Sequence, residues 1–136
     1  MSTVPNASAS QTTILAVDDD PQVLRLLDQT LSAAGYRVLV ANGGRSAIQV
    51  YEAAAGPVHL LLTDVMMPDL TGPVLAERLR ASQPNLPVLF ISGFHDADLV
   101  QRFVTNKGFA LLSKPFNAAG LLRVVEDSLV GRSGES

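Results

Sequence analysis

The chain has 136 residues, a formal net charge of −3 and no cysteine. This length fits one domain, and the absence of cysteine excludes disulfides, thiolate metal sites and a cysteine nucleophile. With 47% hydrophobic residues the composition is that of a globular protein, and 10 basic against 13 acidic residues argue against a nucleic-acid-binding face.

The two ends of the chain differ in composition from its middle. The segment 1–13 is rich in small polar residues without an apolar period, so it predicts a flexible arm, and 131–136 predicts a flexible tail. We expect the folded domain over 14–130. No apolar run approaches the roughly 20 residues of a membrane span. No secretory signal is visible either, so we expect a cytoplasmic location.

Apolar runs and helical patterns alternate along this domain. In chain order they predict a strand at 14–17, a helix at 21–34, a strand at 36–41, a helix at 45–55, a strand at 58–63, a helix at 75–82, a strand at 87–91, a helix at 96–106, a strand at 109–112 and a helix at 117–130. Pro21 suits a first helical turn, Gly35 a helix end and Asn117 a helix cap. The alternation predicts an α/β fold, a single doubly wound (βα)5 domain of flavodoxin-like architecture with a five-stranded parallel sheet.

Polar residues stand where the predicted strands end. Asp18 and Asp19 follow the first strand, and Asp64 follows the third. Ser92 follows the fourth strand, and Lys114 lies just beyond the fifth. Because parallel strands end at one edge of the sheet, these side chains should converge there.

Carboxylates packed within a few ångströms repel one another by several kcal/mol at an effective dielectric near 20. Lys114 neutralises one charge, and oxygen ligands favour Mg²⁺ for the rest. Mg²⁺ also binds phosphate oxygens, so we expect the site to accept a phosphoryl group. Asp64 is the best-placed acceptor, and aspartyl phosphate is an established covalent intermediate.

Four stretches, in this order, resemble a known family: ILAVDDDP at 14–21, LTDVMMP at 62–68, FISG at 90–93 and KPF at 114–116. They resemble the receiver domain of two-component response regulators, and the likeness runs from about 14 to 130. The stretches SGF and LLSKPF are also similar to receivers attached to hybrid sensor histidine kinases. Both a stand-alone receiver and part of a longer chain fit this resemblance.

The resemblance implies roles for individual residues. Asp64 matches the phosphoacceptor, which is also a metal ligand. Asp18 and Asp19 match the Mg²⁺-binding acid pair, Asp19 directly and Asp18 through water. The backbone carbonyl of Met66 matches the remaining protein ligand.

Three further positions match the residues that respond to phosphorylation. Ser92 matches the hydroxyl that binds a phosphoryl oxygen, and Lys114 matches the lysine that pairs with Asp64 and then with the phosphate. The peptide before Pro115 matches one that is usually cis and aims the lysine. The family often has an aromatic switch residue where this chain has Leu111, which puts a switch by aromatic rotation in doubt.

As a receiver, the chain is expected to be a signalling module and not an enzyme. A sensor histidine kinase or a histidine phosphotransfer protein would load Asp64, and no nucleic acid or membrane is expected as a partner. Phosphorylation would alter the face formed by the fourth helix, fifth strand and fifth helix of the prediction. That face would contact a downstream protein through a patch comprising Phe94, Leu99, Phe103 and Leu122. Homodimerisation through the last helix is left open.

The apolar residues Met66 and Phe94 flank the predicted acceptor. Bulky apolar groups would screen an acyl phosphate from water, so we predict slow self-dephosphorylation.

Other functions fit less well. A magnesium phosphohydrolase needs Asp-x-Asp, but Met66 stands two places after Asp64. Asp18 and Asp20 do form that pattern, yet this length leaves no room for a cap or substrate pocket. A flavodoxin-like cofactor binder needs a phosphate loop rich in Ser, Thr and Gly after the first strand, which is missing. The intact acid set argues against a receiver that serves only as a scaffold.

Some remaining residues have structural interpretations. Gly43-Gly44 predicts a turn, because the Lys-Ser or Lys-Thr of a phosphate loop does not follow. Gly72 predicts an unusual backbone dihedral. Arg78 and Arg80 predict a solvated helix face.

Overall fold

The computed structural model describes residues 12–54, 56–93 and 109–134, with side chains described as far as 129. Its elements are β1 (Thr13–Val17), α1 (Pro21–Ala33), β2 (Arg37–Ala41), α2 (Gly44–Ala53), β3 (Leu60–Asp64), α3 (Gly72–Arg80), β4 (Val88–Ser92), β5 (Ala110–Ser113) and α4 (Ala118–Gly134). The helix predicted at 96–106 lies outside the described residues.

The five strands form one parallel sheet in the order β2-β1-β3-β4-β5. This order confirms the doubly wound α/β fold. Strands β3, β4 and β5 each end one residue later than the pattern indicated. Asp64 and Ser92 are therefore the last residues of β3 and β4 instead of the first residues beyond them.

The outer bounds of the secondary structure also differ from the pattern. β1 begins at Thr13, which is buried, and α4 continues to Gly134. The division into an arm, a domain over 14–130 and a tail stays a prediction. No helix within the described ranges is long and apolar enough to cross a membrane.

The core has two layers, one on each face of the sheet. Alternate residues of each central strand contribute to opposite layers, as Leu15 and Ile14 do in β1. Every residue of β1, β3 and β4 is buried. This explains why the strands are continuous apolar runs and why the polar residues fall at their ends.

Local signals mark the helix termini, and the sequence indicated those at Gly35 and Asn117 but not the cap at Asp20. The Asp20 carboxylate caps α1 by accepting a hydrogen bond from Gln22 N at 2.9 Å. Asn117 caps α4 by accepting one from Gly120 N at 2.7 Å. Gly35 follows α1 with a φ of 101°, the left-handed conformation expected after a helix.

Two structural expectations were wrong. Gly72 does not have a positive φ; a Cβ at this position would overlap the carbonyl oxygen of Asp64, so glycine permits a close backbone contact. Arg80 does not lie on a solvated face. Its Nε donates to Leu86 O at 2.9 Å, and its guanidinium lies 4.3 Å from the ring centroid of Phe109.

Candidate functional site

Three carboxylates meet at the carboxyl edge of the sheet. Asp18 and Asp19 follow β1, and Asp64 ends the neighbouring strand β3. The parallel register pairs Val17 with Thr63, so the residues that follow stand side by side. Each of the three acids offers an oxygen within 4.8 Å of the other two. Asp18 is fully buried and Asp64 is 6% exposed, whereas Asp19 is exposed.

Lys114 reaches this cluster from the end of β5. Its Nζ lies 3.5 Å from Asp18 Oδ2 and 3.7 Å from Asp64 Oδ1. Its backbone N donates to Ser92 O at 2.8 Å, which continues the pairing of β4 with β5. The Lys114–Pro115 peptide is cis, as the resemblance implied. The structure thus brings the predicted lysine to the predicted acids.

The carboxylates carry more negative charge than one lysine balances. Burial raises the pKa of Asp64 to about 6, the charge of Asp18 adds to this effect, and Lys114 opposes it. Burial also raises the pKa of Asp18, against the hydrogen bond that Asp20 N donates to its Oδ1 at 2.8 Å. Both groups are held in an environment that favours an added positive charge.

The acidic cluster has the donor chemistry of a site for a hard cation. Carboxylate oxygens are ligands that Mg²⁺ prefers. Among the described residues, Asp18 Oδ2 is buried without a hydrogen bond, although it lies within ion-pair distance of Lys114. Such an unsatisfied buried oxygen next to two further carboxylates fits a cation with its bound waters.

Ser92 and Leu111 occupy the neighbouring strands. Ser92 is 3% exposed at the end of β4, and its Oγ donates to Gly93 O at 3.0 Å. Leu111 is half-buried and packs against one core layer.

In the expected partner patch, Leu122 is half-buried against the opposite layer, whereas Phe94, Leu99 and Phe103 lie outside the described residues.

Asp69, which the sequence did not single out, links the loop after β3 to the start of α2. Its Oδ1 accepts a hydrogen bond from Gly44 N at 3.1 Å, and its Oδ2 accepts one from Arg45 N at 3.0 Å. These two bonds hold the pKa of Asp69 below its ordinary value. Gly43 lies in the bend before α2 but Gly44 is the first residue of that helix, so the predicted turn is only partly present, and the missing side chain of Gly43 leaves room for the Asp69 carboxylate.

The chain is similar in sequence to known proteins. The family model described as "Response regulator receiver domain" matches residues 14–126. The response regulator receiver protein CpdR of Brucella abortus (strain 2308) is 35% identical over 117 residues, which span 86% of this chain and 96% of CpdR. The sensor kinase CckA of the same organism is 31% identical over 117 residues, which span 86% of this chain but 12% of CckA.

Solved structures give the same result. The crystal structure of the Vibrio cholerae chemotaxis protein CheY4 is similar with a TM-score of 0.79 and 28% identity, over 87% of this chain and 98% of that one. Receiver domains act as phosphoacceptor modules in two-component signalling, interact with histidine kinases and downstream effectors, and generally bind Mg²⁺ at an acidic pocket. The acidic cluster fits such a phosphorylation site. The chain therefore belongs to the response regulator receiver domain family and is a phosphoacceptor module of two-component signalling.

Proposed function

We propose that Asp64 accepts a phosphoryl group from a sensor histidine kinase or a histidine phosphotransfer protein, with Mg²⁺ bound at the acidic cluster. One observation carries this proposal: Lys114 Nζ lies within 3.7 Å of both buried carboxylates, Asp18 and Asp64. A lysine so placed balances part of the charge before transfer and pairs with the phosphoryl group after it.

In the transfer step, an Asp64 carboxylate oxygen forms a bond to phosphorus while the donor's phosphorus–nitrogen bond breaks and the imidazole leaves. Asp64 must be ionised to attack, which its pKa of about 6 permits near neutral pH. Bound Mg²⁺ would supply charge neutralisation for the phosphoryl oxygens. In this proposal Asp19 and Asp64 bind it directly, Asp18 binds it through water, and the Met66 carbonyl completes the protein ligands.

The phosphoryl group carries a charge of about −1.5 to −2, which replaces the single negative charge of the Asp64 carboxylate. Ser92 Oγ now donates to Gly93 O, and in the phosphorylated state we expect it to donate to a phosphoryl oxygen instead. Lys114 follows β5, so the new charge acts on the segment that joins β5 to α4. We expect the output surface to include β5 and α4; the predicted helix at 96–106, which completes the expected face, lies outside the described residues. A homodimer through the last helix is an alternative output, and the cytoplasmic location stays a prediction.

The proposal is tested by incubating the protein with acetyl phosphate and Mg²⁺ and measuring its intact mass. The wild type should gain one phosphoryl group and Asp64→Asn should gain none. Asp20→Asn is the matched control, because Asp20 caps α1 outside the three-carboxylate cluster and asparagine is also a good cap. An unchanged gain in Asp64→Asn, or no gain in the wild type with acetyl phosphate or a donor kinase, would refute the proposal.

The lifetime of the phosphoryl group is a second part of the proposal. Met66 follows Asp64 by two residues and is 49% exposed, and we expect its apolar side chain to shield the phosphoryl group from bulk water. We predict a phosphoaspartate half-life much longer than seconds in the presence of Mg²⁺, and a shorter one in Met66→Asn, measured by the decay of the phosphorylated mass. A half-life of seconds in the wild type would contradict the predicted screening.

A further inference from the structure

The loop at 65–71, between β3 and α3, carries the Met66 carbonyl. Its first residue is fixed on both sides, because Val65 N donates to Ile91 O at 3.1 Å and Val65 O accepts from Gly72 N at 2.7 Å. These bonds hold the start of the loop against the sheet and against the first residue of α3. They leave the segment from Met66 to Leu70 to be positioned by other contacts.

Asp69 supplies such a contact. Helix α2 begins after Gly43, whose lack of a side chain leaves the first N–H groups of the helix without a local side-chain cap. Asp69 accepts from two of these groups, Gly44 N and Arg45 N, across 25 and 24 residues of chain. Each carboxylate oxygen takes one bond, so the carboxylate is held at two points.

Packing reinforces this link. A Cβ at Gly44 would overlap Leu70, and a Cβ at Gly43 would lie 3.3 Å from both oxygens of Asp69. The loop and the start of α2 are therefore in close contact, and glycine permits that contact on the helix side.

We propose that Asp69 is a positioning residue: by tying loop 65–71 to the start of α2, it orients the Met66 carbonyl, the backbone ligand of the proposed function, and so sets the affinity for Mg²⁺. This inference rests on the function proposed above. Mg²⁺ demands near-ideal octahedral geometry, so a displaced carbonyl weakens binding. Residues that orient metal ligands typically change metal affinity by 10–100-fold when they are removed.

The test is the Mg²⁺ dissociation constant, measured by calorimetry for the wild type, Asp69→Ala and Asp69→Asn. We expect Asp69→Ala to raise it about tenfold, and Asp69→Asn less, because one amide oxygen still accepts a hydrogen bond. Asp28→Ala removes the same charge from a half-buried position on α1, where Asp28 accepts from Ser32 Oγ at 3.0 Å. This control should bind Mg²⁺ like the wild type.

A second readout separates positioning from a purely structural cap. With acetyl phosphate, phosphorylation of Asp69→Ala should need more Mg²⁺ but approach the wild-type rate at saturation. A variant with reduced stability and a Mg²⁺ dissociation constant within about twofold of the wild type would overturn the inference. If Asp69→Ala does not fold, an unchanged constant in Asp69→Asn overturns it. Failure of the wild type itself to bind Mg²⁺ or to be phosphorylated would instead overturn the proposed function.

Discussion

Asp64 shows, at the scale of one residue, a conflict between burial and reactivity. The residue is 6% exposed beside Asp18, and burial raises its pKa to about 6. The pKa in the unfolded chain is near 3.8. Between pH 3.8 and about pH 6, Asp64 is therefore protonated in the folded protein but ionised in the unfolded chain. The stabilising contribution of the protonated group is present below about pH 4 and is lost as the pH rises through 6.

We therefore predict that Asp64→Asn is more stable than the wild type at pH 7 without Mg²⁺. The neutral amide avoids the buried charge, and the pKa shift corresponds to a gain of about 1–3 kcal/mol in the free energy of unfolding. Urea unfolding should show this gain at pH 7 and little difference near pH 4. Equal or lower stability of Asp64→Asn than of the wild type at pH 7 would contradict this explanation.

At the scale of elements, the junction between β3 and α3 constrains the backbone of Asp64. Gly72 N donates to Val65 O, and a Cβ on Gly72 would overlap the carbonyl oxygen of Asp64. The atom that this Cβ would meet belongs to the backbone and not to a flexible side chain. It therefore cannot move aside without a shift of the strand end. The position of α3 is thus coupled to the position of Asp64.

We predict that Gly72→Ala lowers the free energy of unfolding by about 1–3 kcal/mol and slows phosphorylation of Asp64, because the added methyl group pushes on the backbone of that residue. Urea unfolding and the rate of mass gain with acetyl phosphate would measure the two effects. Val74→Ala is the control, since Val74 is 40% exposed in the same helical turn and should tolerate truncation. Wild-type stability in Gly72→Ala would show that the junction is looser than the structure indicates.

At the scale of the whole molecule, the sequence predicted the fold and the meeting of the main site residues. The apolar runs indicated strands buried on both faces, and the parallel sheet brings the ends of those strands to one edge. Asp18, Asp64 and Lys114 each stand at such an end, so their proximity follows from topology. Their assigned roles in phosphoryl transfer stay predictions.

The sequence could not predict contacts that depend on how separate elements pack. Asp69 caps a helix that begins 25 residues earlier, and nothing local marks it as a cap for that helix. Arg80 has the spacing of a surface residue, but its guanidinium lies over Phe109, which precedes β5. The need for glycine at position 72 likewise comes from the Asp64 carbonyl and not from its own dihedral angles. Such pairings become visible only once the elements are assembled.

The most direct test of the central claim is to locate the phosphoryl group in the wild-type protein. After phosphorylation with acetyl phosphate and Mg²⁺, borohydride reduction converts an aspartyl phosphate to homoserine, which peptide mass spectrometry assigns to one position. We predict homoserine at position 64. Homoserine at position 18, 19 or 20, or none in protein that has gained a phosphoryl group, would contradict this assignment.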